Sequence, residues 1–173
     1  MRNLFLASGS KENIEDSIKR PVPLHILKKY LSESSFNRLQ IEAQGEEKFN
    51  CFAMKSGSQS FFEVMKPTDI VIFKPNQTSQ FQYKGIVMYK VNCLGLGREI
   101  WKVGENWELI YFVKDIKRIN INLSLFAKKL GYAENWVPQG ISRVDEQKVR
   151  TKILSRYRNI AAFLSDLDQF DRE

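Results

Sequence analysis

The stretch FLASGSKENIEDSIKR, residues 5–20, places an apolar run, a Gly-Ser turn and a helical charge pattern in direct succession. The apolar run predicts a β-strand that ends at the turn. From Ser10, which occupies the N-cap position, Ile14 and Ile18 share one face of a predicted helix that Pro21 ends. Acidic residues on the other face precede basic residues by four positions, the spacing of helix-stabilising ion pairs: Glu15 with Lys19 and Asp16 with Arg20.

The size and composition of the chain predict one globular domain. It has 173 residues, of which 43% are hydrophobic and 12% aromatic, enough for one core and short for two. No stretch approaches the roughly 18 consecutive apolar residues of a membrane-spanning helix, and the N-terminus turns polar too early for a secretory signal. We therefore expect a single soluble, cytoplasmic domain over residues 1–173, without a membrane partner. Its charged last residues, DLDQFDRE, are typical of a boundary, so we also expect a domain excised from a longer protein.

The charge balance favours an acidic partner. The chain has 27 Lys and Arg against 20 Asp and Glu, which gives a net charge of +7. Such a balance draws a small domain toward polyanions, and nucleic acid is the commonest of these. A basic surface without a specific partner is the alternative that charge alone leaves open.

Strand and helix patterns alternate along the rest of the chain. Four runs rich in β-branched and aromatic residues predict strands at 49–55, 69–74, 81–91 and 107–113. Helices are predicted at 122–131, with Asn122 as the N-cap, and at 144–170. Residues 24–48 are interpreted as an insertion that begins with a short helix, becomes irregular from residue 32 and holds a short strand at 39–41. The pattern predicts an α+β fold, a curled mixed sheet or small β-barrel with helices packed outside.

Catalytic and metal-binding patterns are scarce. The single histidine, His25, stands beside lysines without a matched nucleophile or carboxylate. Cys51 and Cys93 lie in apolar runs and are interpreted as buried thiols rather than as a disulfide or a zinc site. GLGRE, residues 95–99, is a weak phosphate-loop pattern, because it lacks a third glycine and a following helix. The sequence therefore predicts a binding domain and not an enzyme, with no cofactor and no metal.

Two tryptophans enclose a short polar turn. Trp101 and Trp107 flank the residues KVGEN, directly after a predicted glycine-rich hairpin around GLGRE and directly before an apolar strand. Large indole rings at strand ends are often part of a core. Two such rings around a turn can equally form the walls of a slot for a flat ring such as a flipped base.

Several segments, taken together and in order, resemble the YTH domains of the PUA/EVE superfamily, which read N6-methyladenine. The resemblance extends from about residue 4 to residue 170, with one insertion, and implies a YTH/PUA-like fold. The segments that carry it are LFLASGSKENIEDSIK (4–19), DIVIFKPNQTSQFQYKGIVMYK (69–90), WELIYFVKDI (107–116), VPQGISRVDEQ (137–147) and KVRTKILSRYRNIAAFLSDLDQF (148–170).

The resemblance implies a role for the polar turn after the first strand. Ser8 takes the place of the family's serine there, and Asn13 that of the amide or acid that binds the edge of the methylated adenine, so the resemblance implies that both side chains face the base. An Asn amide suits this task, because it offers both a donor and an acceptor to an adenine edge. The alternative is a capped helix in which Ser10 and Asn13 close their own first turn.

The family's aromatic cage is matched in part. Trp101 and Trp107 resemble two cage residues, although they are six residues apart where five is usual. The family's first cage tryptophan, on the second strand, has no counterpart here. The matching segment, FNCFA, offers Asn50 and Cys51 with Phe52 beside them. A smaller wall at Asn50 widens the slot unless another aromatic side chain, Phe52 or Trp136, completes it.

The diverged cage and the dispersed basic residues favour duplex DNA over RNA as the partner. YTH-like and related domains occur at the N-termini of McrB-type modification-dependent restriction proteins, where they flip a modified base out of duplex DNA. A compact domain that starts at Met1 fits that setting. The resemblance thus implies fusion to, or assembly with, an AAA+ GTPase and a nuclease subunit. Contacts to the DNA backbone are expected from basic side chains: Lys11, Lys19, Arg20, Lys114, Arg143 and Lys148.

Two other functions compete with this interpretation. One is a single-stranded RNA N6-methyladenosine reader or PUA-like RNA-binding accessory module. The other is a structural interaction domain whose tryptophans are core, which predicts no specific binding of nucleic acid. Binding of duplex DNA and of single-stranded RNA as a function of salt distinguishes the three.

Overall fold

The protein, described by a computed structural model over residues 1–101 and 106–169, has the predicted α+β fold with a curled mixed sheet. A 3-10 turn at Ser56–Ser58 and a π-helical segment at Val149–Leu154 accompany the regular elements. The β-strands and α-helices of the described residues are, in chain order, β1 (Leu4–Gly9), α1 (Lys11–Lys19), α2 (Leu24–Tyr30), α3 (Glu33–Ala43), β2 (Asn50–Met54), α4 (Gln59–Val64), β3 (Ile70–Pro75), β4 (Gln80–Asn92), α5 (Leu94–Ile100), β5 (Leu109–Asn122), α6 (Leu123–Leu130), β6 (Ile141–Arg143), α7 (Glu146–Lys148) and α8 (Ile160–Leu167).

Parallel and antiparallel pairs occur in the same sheet, whose strand order is β2-β5-β4-β3-β1-β6. Strands β1 and β3 run parallel, with Leu4 opposite Ile70 and Gly9 opposite Pro75. Strand β6 pairs antiparallel with β1, and β2 pairs antiparallel with β5. Strand β2 therefore lies at one edge of the sheet and carries a single paired neighbour.

The chain divides into two compact units. The first unit comprises residues 1–10, 69–85 and the described part of 117–173, and the second comprises residues 11–68 and the described part of 86–116. The expectation of one domain over the whole chain stays a prediction.

Each unit has its own hydrophobic core. In the first unit, apolar side chains of β1, β3 and β5 pack with α6, the π-helical segment and α8 around Phe81 and Phe126, which are both fully buried. In the second unit, α2, α3 and α5 pack with β2 and β5 around Phe49 and Phe112. Burial of these side chains supplies most of the free energy that opposes chain entropy on folding.

Helix α1 confirms the pattern of the opening stretch. Ile14 is fully buried, and the predicted ion pairs form, with Lys19 and Arg20 each 3.4 Å from the carboxylate four residues earlier. Cys51 is buried as expected, whereas Cys93 is half-buried and precedes α5.

Residues 32–48 correct the sequence prediction. They hold the helix α3 instead of an irregular segment with a short strand. Ser32 caps the helix, its side chain accepting a hydrogen bond from the Ser35 amide, and the buried side chains recur at three- and four-residue intervals. Only three residues form this apolar stripe, so the period is hard to see among polar neighbours: Phe36, Leu39 and Ala43.

Two further predictions about helices were wrong. The single helix predicted at 144–170 is instead α7, the π-helical segment and α8, with turns at residues 155–159; residue 170 lies outside the described residues. Asn159 is the N-cap of α8, because its side chain accepts a hydrogen bond from the Ala162 amide. The segment around GLGRE is the helix α5 and not a hairpin. The polar turn predicted between the tryptophans falls mostly on residues 102–105, outside the described residues.

No helix in the described part of the chain is long and apolar enough to cross a membrane.

We predict that Asn122→Ala destabilises the protein by about 1 kcal/mol. The Asn122 side chain accepts a hydrogen bond of 3.1 Å from the Leu125 amide at the start of α6, and alanine leaves this amide without a partner. Urea denaturation followed by circular dichroism measures the change. Ser124→Ala, at an exposed position of the same helix, is the control and should change stability by less than about 0.5 kcal/mol. Equal stability of both variants would contradict the cap.

Candidate functional site

A pocket in the second unit brings together four of the side chains that the sequence singled out. The described residues that line it are Asn13, Phe52, Ala53, Trp101 and Trp107. The empty space between the pocket's atoms, including its open mouth, is about 170 Å³. The part of that space in which the centre of a water molecule fits is only about 10 Å³. It is therefore a narrow, mostly apolar slot with one amide side chain at its wall.

The slot lies at the edge of the sheet. Strand β2 is an edge strand, and its neighbouring residues Phe52 and Ala53 both reach the slot although their side chains point to opposite faces. Helix α1 packs against β2 and supplies Asn13.

A buried serine ties α1 to the other walls. Ser17 is 3% exposed, and its hydroxyl accepts a hydrogen bond of 3.2 Å from the Trp101 indole nitrogen. Its carbonyl accepts a hydrogen bond of 3.0 Å from the Asn50 amide nitrogen, which also donates to the carbonyl of Ile18 at 2.6 Å. These bonds satisfy carbonyls at the end of α1 that have no partner within the helix. Helix, strand and tryptophan are thereby held in one arrangement.

Trp101 is both core and wall. It is 6% exposed and belongs to the core of the second unit, yet it also lines the slot. Its backbone amide donates to the carbonyl of Gly97 at 3.0 Å, and its ring meets Phe52 edge-on at a centroid distance of 6.4 Å. Because packing, indole and backbone are all engaged, Trp101 is the fixed wall.

Trp107 is held by fewer contacts than Trp101. Its ring is half-buried, and its indole nitrogen, buried from solvent, has no hydrogen-bond partner among the described residues. The ammonium of Lys55 lies 5.3 Å from the centroid of the ring. A donor without a partner, in a ring with fewer constraints than Trp101, is available to an acceptor that enters the slot.

The backbone at Trp107 is fixed more firmly than its side chain. The Cys93 amide donates to the Glu108 carbonyl at 2.8 Å, which joins the chain before α5 to the chain just after Trp107. An ideal Cβ built on Gly97 would lie 1.8 Å from the Trp107 carbonyl oxygen. Only glycine permits this approach, so GLGRE owes its second glycine to packing against Trp107.

The third aromatic wall, Phe52, packs against the ring of Tyr111. Phe52 is 8% exposed and meets Tyr111, its cross-strand partner on β5, at a centroid distance of 6.1 Å. The Tyr111 hydroxyl is buried without a hydrogen-bond partner among the described residues. Burial raises the pKa of Tyr111 well above its ordinary value, so the hydroxyl stays protonated.

Asn50 and Cys51 are not among the described residues that line the slot. The Asn50 amide is occupied by the two carbonyls at the end of α1. Cys51 points to the face opposite Phe52 and belongs to the core, and burial raises the pKa of its thiol far above the ordinary value. Asn50 therefore fixes the end of α1 to β2, and Cys51 is part of the core of the second unit.

Ser8 and Trp136 lie in the first unit. Ser8 is on β1, and its buried hydroxyl has no hydrogen-bond partner among the described residues. Trp136 stacks on Tyr132 at a centroid distance of 4.1 Å with the rings 5° from parallel. A movement of Trp136 to complete a cage would break this stack.

The basic residues expected to contact a nucleic-acid backbone differ in how they are engaged. Lys11 is exposed at the first position of α1, whereas Lys19 and Arg20 form exposed ion pairs on the same helix. The Lys148 ammonium donates to the carbonyls of Leu130 and Gly131, which completes the end of α6. The remaining two are half-buried: Lys114 on β5 and Arg143 on β6.

The described residues contain no cluster of three or more His, Cys, Asp or Glu side chains that could hold a metal ion. His25 is exposed on α2. Sequence reasoning missed three contributors to the site, namely Ser17, Ala53 and Lys55. Ser17 sits one turn after Asn13 on α1, and the periodicity of that helix was the available signal for it.

Comparison with known proteins shows the fold. No family model matches the chain, and no curated protein matches it in sequence. A solved structure, the N-terminal domain of Thermococcus gammatolerans McrB bound to m5C DNA, matches with a TM-score of 0.64 and 17% identity, covering 89% of this chain and 98% of that one. A mutant ASCH protein from Zymomonas mobilis matches with a TM-score of 0.45 and 10% identity, covering 89% and 96%. The chain thus shares its fold with this McrB N-terminal domain.

We predict that Gly97→Ala destabilises the protein by about 1–3 kcal/mol and shifts the tryptophan fluorescence. The added methyl group cannot be accommodated beside the Trp107 carbonyl without moving the backbone. Urea denaturation and emission spectra measure both effects. Gly57→Ala is the matched control, because nothing lies within 4 Å of its added Cβ, and its stability should match wild type within about 0.5 kcal/mol. A Gly97→Ala protein with wild-type stability and emission would contradict the close approach.

Proposed function

We propose that this chain binds methylated duplex DNA and takes one methylated base, N6-methyladenine, out of the helix into the slot in its second unit. The observation that carries the proposal is the slot itself, in which the aromatic rings of Phe52, Trp101 and Trp107 meet the amide of Asn13. The fold supports it, since the McrB domain that shares this fold was solved bound to m5C DNA. The sequence resemblance to N6-methyladenine readers supports the choice of base.

The walls suit a flat, methylated ring. Aromatic faces stack on a base with about 1–3 kcal/mol per base, whichever base it is. A methyl group buried against them adds on the order of 1 kcal/mol, because its apolar area leaves water. The Asn13 amide offers a donor and an acceptor to the ring edge, and the Trp107 indole offers the donor that has no described partner.

The slot must open to admit a base. Its interior holds about 10 Å³ for the centre of a water molecule, whereas a purine is many times larger than water. Trp101 is buried and hydrogen-bonded, so Trp107 is the wall that moves, and the Lys55 ammonium moves with or away from its ring. Binding is therefore coupled to a side-chain rearrangement at Trp107, and the cost of opening lowers the affinity for DNA without a suitable base.

The backbone of the DNA is held by basic side chains on several elements. Lys11, Lys114 and Arg143 are proposed to contact phosphates, as is suited to a ligand with two backbones. Lys19 and Arg20 contribute after exchange of their exposed ion pairs, which are worth little in water. The net charge of +7 attracts the duplex at a distance.

The chain acts in this proposal as a recognition domain and not as an enzyme. DNA translocation and cleavage would belong to an AAA+ GTPase and a nuclease, on a longer chain or on partner subunits in the cytoplasm. For this arrangement, the recognition domain needs only to bind a modified site tightly enough to bring the GTPase and the nuclease to the DNA.

Fluorescence anisotropy tests the proposal. One duplex is prepared in unmodified, N6-methyladenine and 5-methylcytosine forms, with single-stranded RNA of the same sequence, and each is titrated over a range of salt concentrations. We expect the N6-methyladenine duplex to bind at least fivefold more tightly than the unmodified one, since one buried methyl group is worth about that. Preference for 5-methylcytosine would overturn the choice of base. Preference for RNA, or equal binding of all four ligands, would overturn the proposed function.

We predict that Trp107→Ala lowers the affinity for the N6-methyladenine duplex about tenfold or more and removes the preference for it. Binding of the unmodified duplex should change little, because it uses phosphates. Anisotropy with both duplexes measures the ratio of the two affinities.

Tyr89→Ala is the control for this prediction. Tyr89 is another half-buried aromatic side chain of the second unit, and it is not one of the described residues that line the slot. Its loss should leave the ratio unchanged. Equal preference in wild type and Trp107→Ala would show that the slot does not hold the base.

A further inference from the structure

Two polar side chains interrupt the apolar face of the parallel strand pair in the first unit. Ser8 on β1 and Lys74 on β3 are directly opposite in the register of these strands. Because strand residues alternate between faces, they share a face with the positions two and four residues earlier. Those positions belong to the core of the first unit: Leu4, Leu6, Ile70 and Ile72. Ser8 and Lys74 thus continue the core stripe with a hydroxyl and an ammonium group.

Neither polar group has an adequate partner. The buried Ser8 hydroxyl makes no hydrogen bond among the described residues. Lys74 is 4% exposed, and its hydrogen bond within the described residues is a long one, 3.5 Å from the ammonium nitrogen to the carbonyl of Pro75. No carboxylate of the described residues forms an ion pair with Lys74. Burial lowers the pKa of this lysine, which shows that its environment disfavours the charge.

Burial therefore disfavours the charged form of Lys74 in the protein alone. The ammonium group gives up part of its hydration, and no ion pair within the described residues compensates for that loss. Both side chains can donate, since an ammonium carries three donors and a hydroxyl one. A single anionic oxygen that accepts hydrogen bonds from both groups would give the Ser8 hydroxyl a partner and the Lys74 ammonium a counter-charge. Hydrogen bonds to a charged group are stronger than those between neutral groups.

The pair lies where two strands end. Ser8 and Lys74 are near the carboxyl ends of the adjacent parallel strands β1 and β3, where the chain leaves the sheet. The backbone nearby is already engaged, with the Ser8 amide donating to Gly140 and the Asn76 amide donating to Gly9. These two amides are not open to a ligand, whereas the side chains of Ser8 and Lys74 can donate to one.

We propose that the Ser8 hydroxyl and the Lys74 ammonium form an anion site that binds a phosphodiester oxygen of the nucleic acid. This inference rests on the proposed function for the identity of the ligand. A phosphodiester is the anion that every nucleotide carries, so the site contributes to affinity for any sequence and any methylation state. Ser8 is thereby assigned to the backbone of the nucleic acid instead of to the edge of its base.

The decisive variant is Lys74→Met, which keeps an unbranched side chain one atom shorter than lysine and removes its charge. Anisotropy with the N6-methyladenine and unmodified duplexes is measured over a range of salt concentrations. We expect about tenfold weaker binding of both duplexes, with their ratio unchanged. The slope of log K against log salt should fall in magnitude by about one, as one phosphate contact is lost. Lys48→Met removes an exposed lysine and should leave affinity and slope as in wild type.

Thermal unfolding in inorganic phosphate tests the same site without DNA. Phosphate should raise the melting temperature of wild type more than that of Lys74→Met or Ser8→Ala, measured against chloride at equal ionic strength. The Lys74→Met protein should itself be at least as stable as wild type in chloride, since it loses an unpaired buried charge.

The outcomes separate this site from the proposed function. Unchanged affinity, slope and phosphate response in Lys74→Met would overturn the anion site, even if wild type prefers methylated duplex. Phosphate stabilisation that requires Lys74, in a protein that binds no DNA, would support the anion site and overturn the phosphodiester as its ligand. Should Lys74→Met not fold, Ser8→Ala decides: about threefold weaker binding of both duplexes supports the site, and wild-type binding overturns it.

Discussion

The slot depends on one buried residue, Ser17. Its hydroxyl accepts from the Trp101 indole and its carbonyl accepts from the Asn50 amide, so a single turn of α1 is bonded both to the edge strand and to the fixed aromatic wall. Buried hydrogen bonds of this kind are expensive to leave unmade, because each donor that loses its acceptor retains its desolvation cost. The position of Asn13, one turn earlier on the same helix, follows from them.

The other walls differ in how firmly they are held. Trp101 is fixed by packing and by its hydrogen bond, and Phe52 rests on Tyr111 within a paired strand. Trp107 has a fixed backbone against Gly97 but a half-buried ring whose indole nitrogen lacks a described partner. Under the proposed function, Trp101 and Phe52 would be preorganised for the base, and only the Trp107 ring would lose side-chain freedom on binding.

Much of the fold follows from sequence pattern. The strands at 50–54, 70–75 and 80–92, the helix α1 with its ion pairs and the helix α6 with its Asn122 cap were all predicted. Capping residues and strand composition act locally and are visible in a single sequence. Helix α3 and the break before α8 were not predicted. The first has a thin apolar stripe, and in the second, apolar residues keep a helical spacing across the turns at 155–159.

The site was less predictable, because the spacing of residues along the chain does not show which hydrogen-bond partner a polar side chain will have in the folded protein. Sequence analysis singled out Asn13, Phe52 and the two tryptophans, and all four line the slot, while their role in binding a base stays a prediction. It could not show that the Asn50 amide is claimed by the end of α1, or that Cys51 points to the face opposite Phe52. Nor does any local pattern reveal that Lys74 is buried beside Ser8, since that requires the parallel register of two strands far apart in sequence.

The most direct test of the central claim is the NMR signal of a ¹³C-labelled N6-methyl group in duplex DNA, recorded with and without the protein. If the methylated base enters the slot, the rings of Phe52, Trp101 and Trp107 should shift the methyl proton signal upfield and give cross-relaxation to aromatic protons. A methyl signal that keeps its free-duplex position, under conditions where anisotropy shows the duplex to be fully bound, would contradict recognition in this slot.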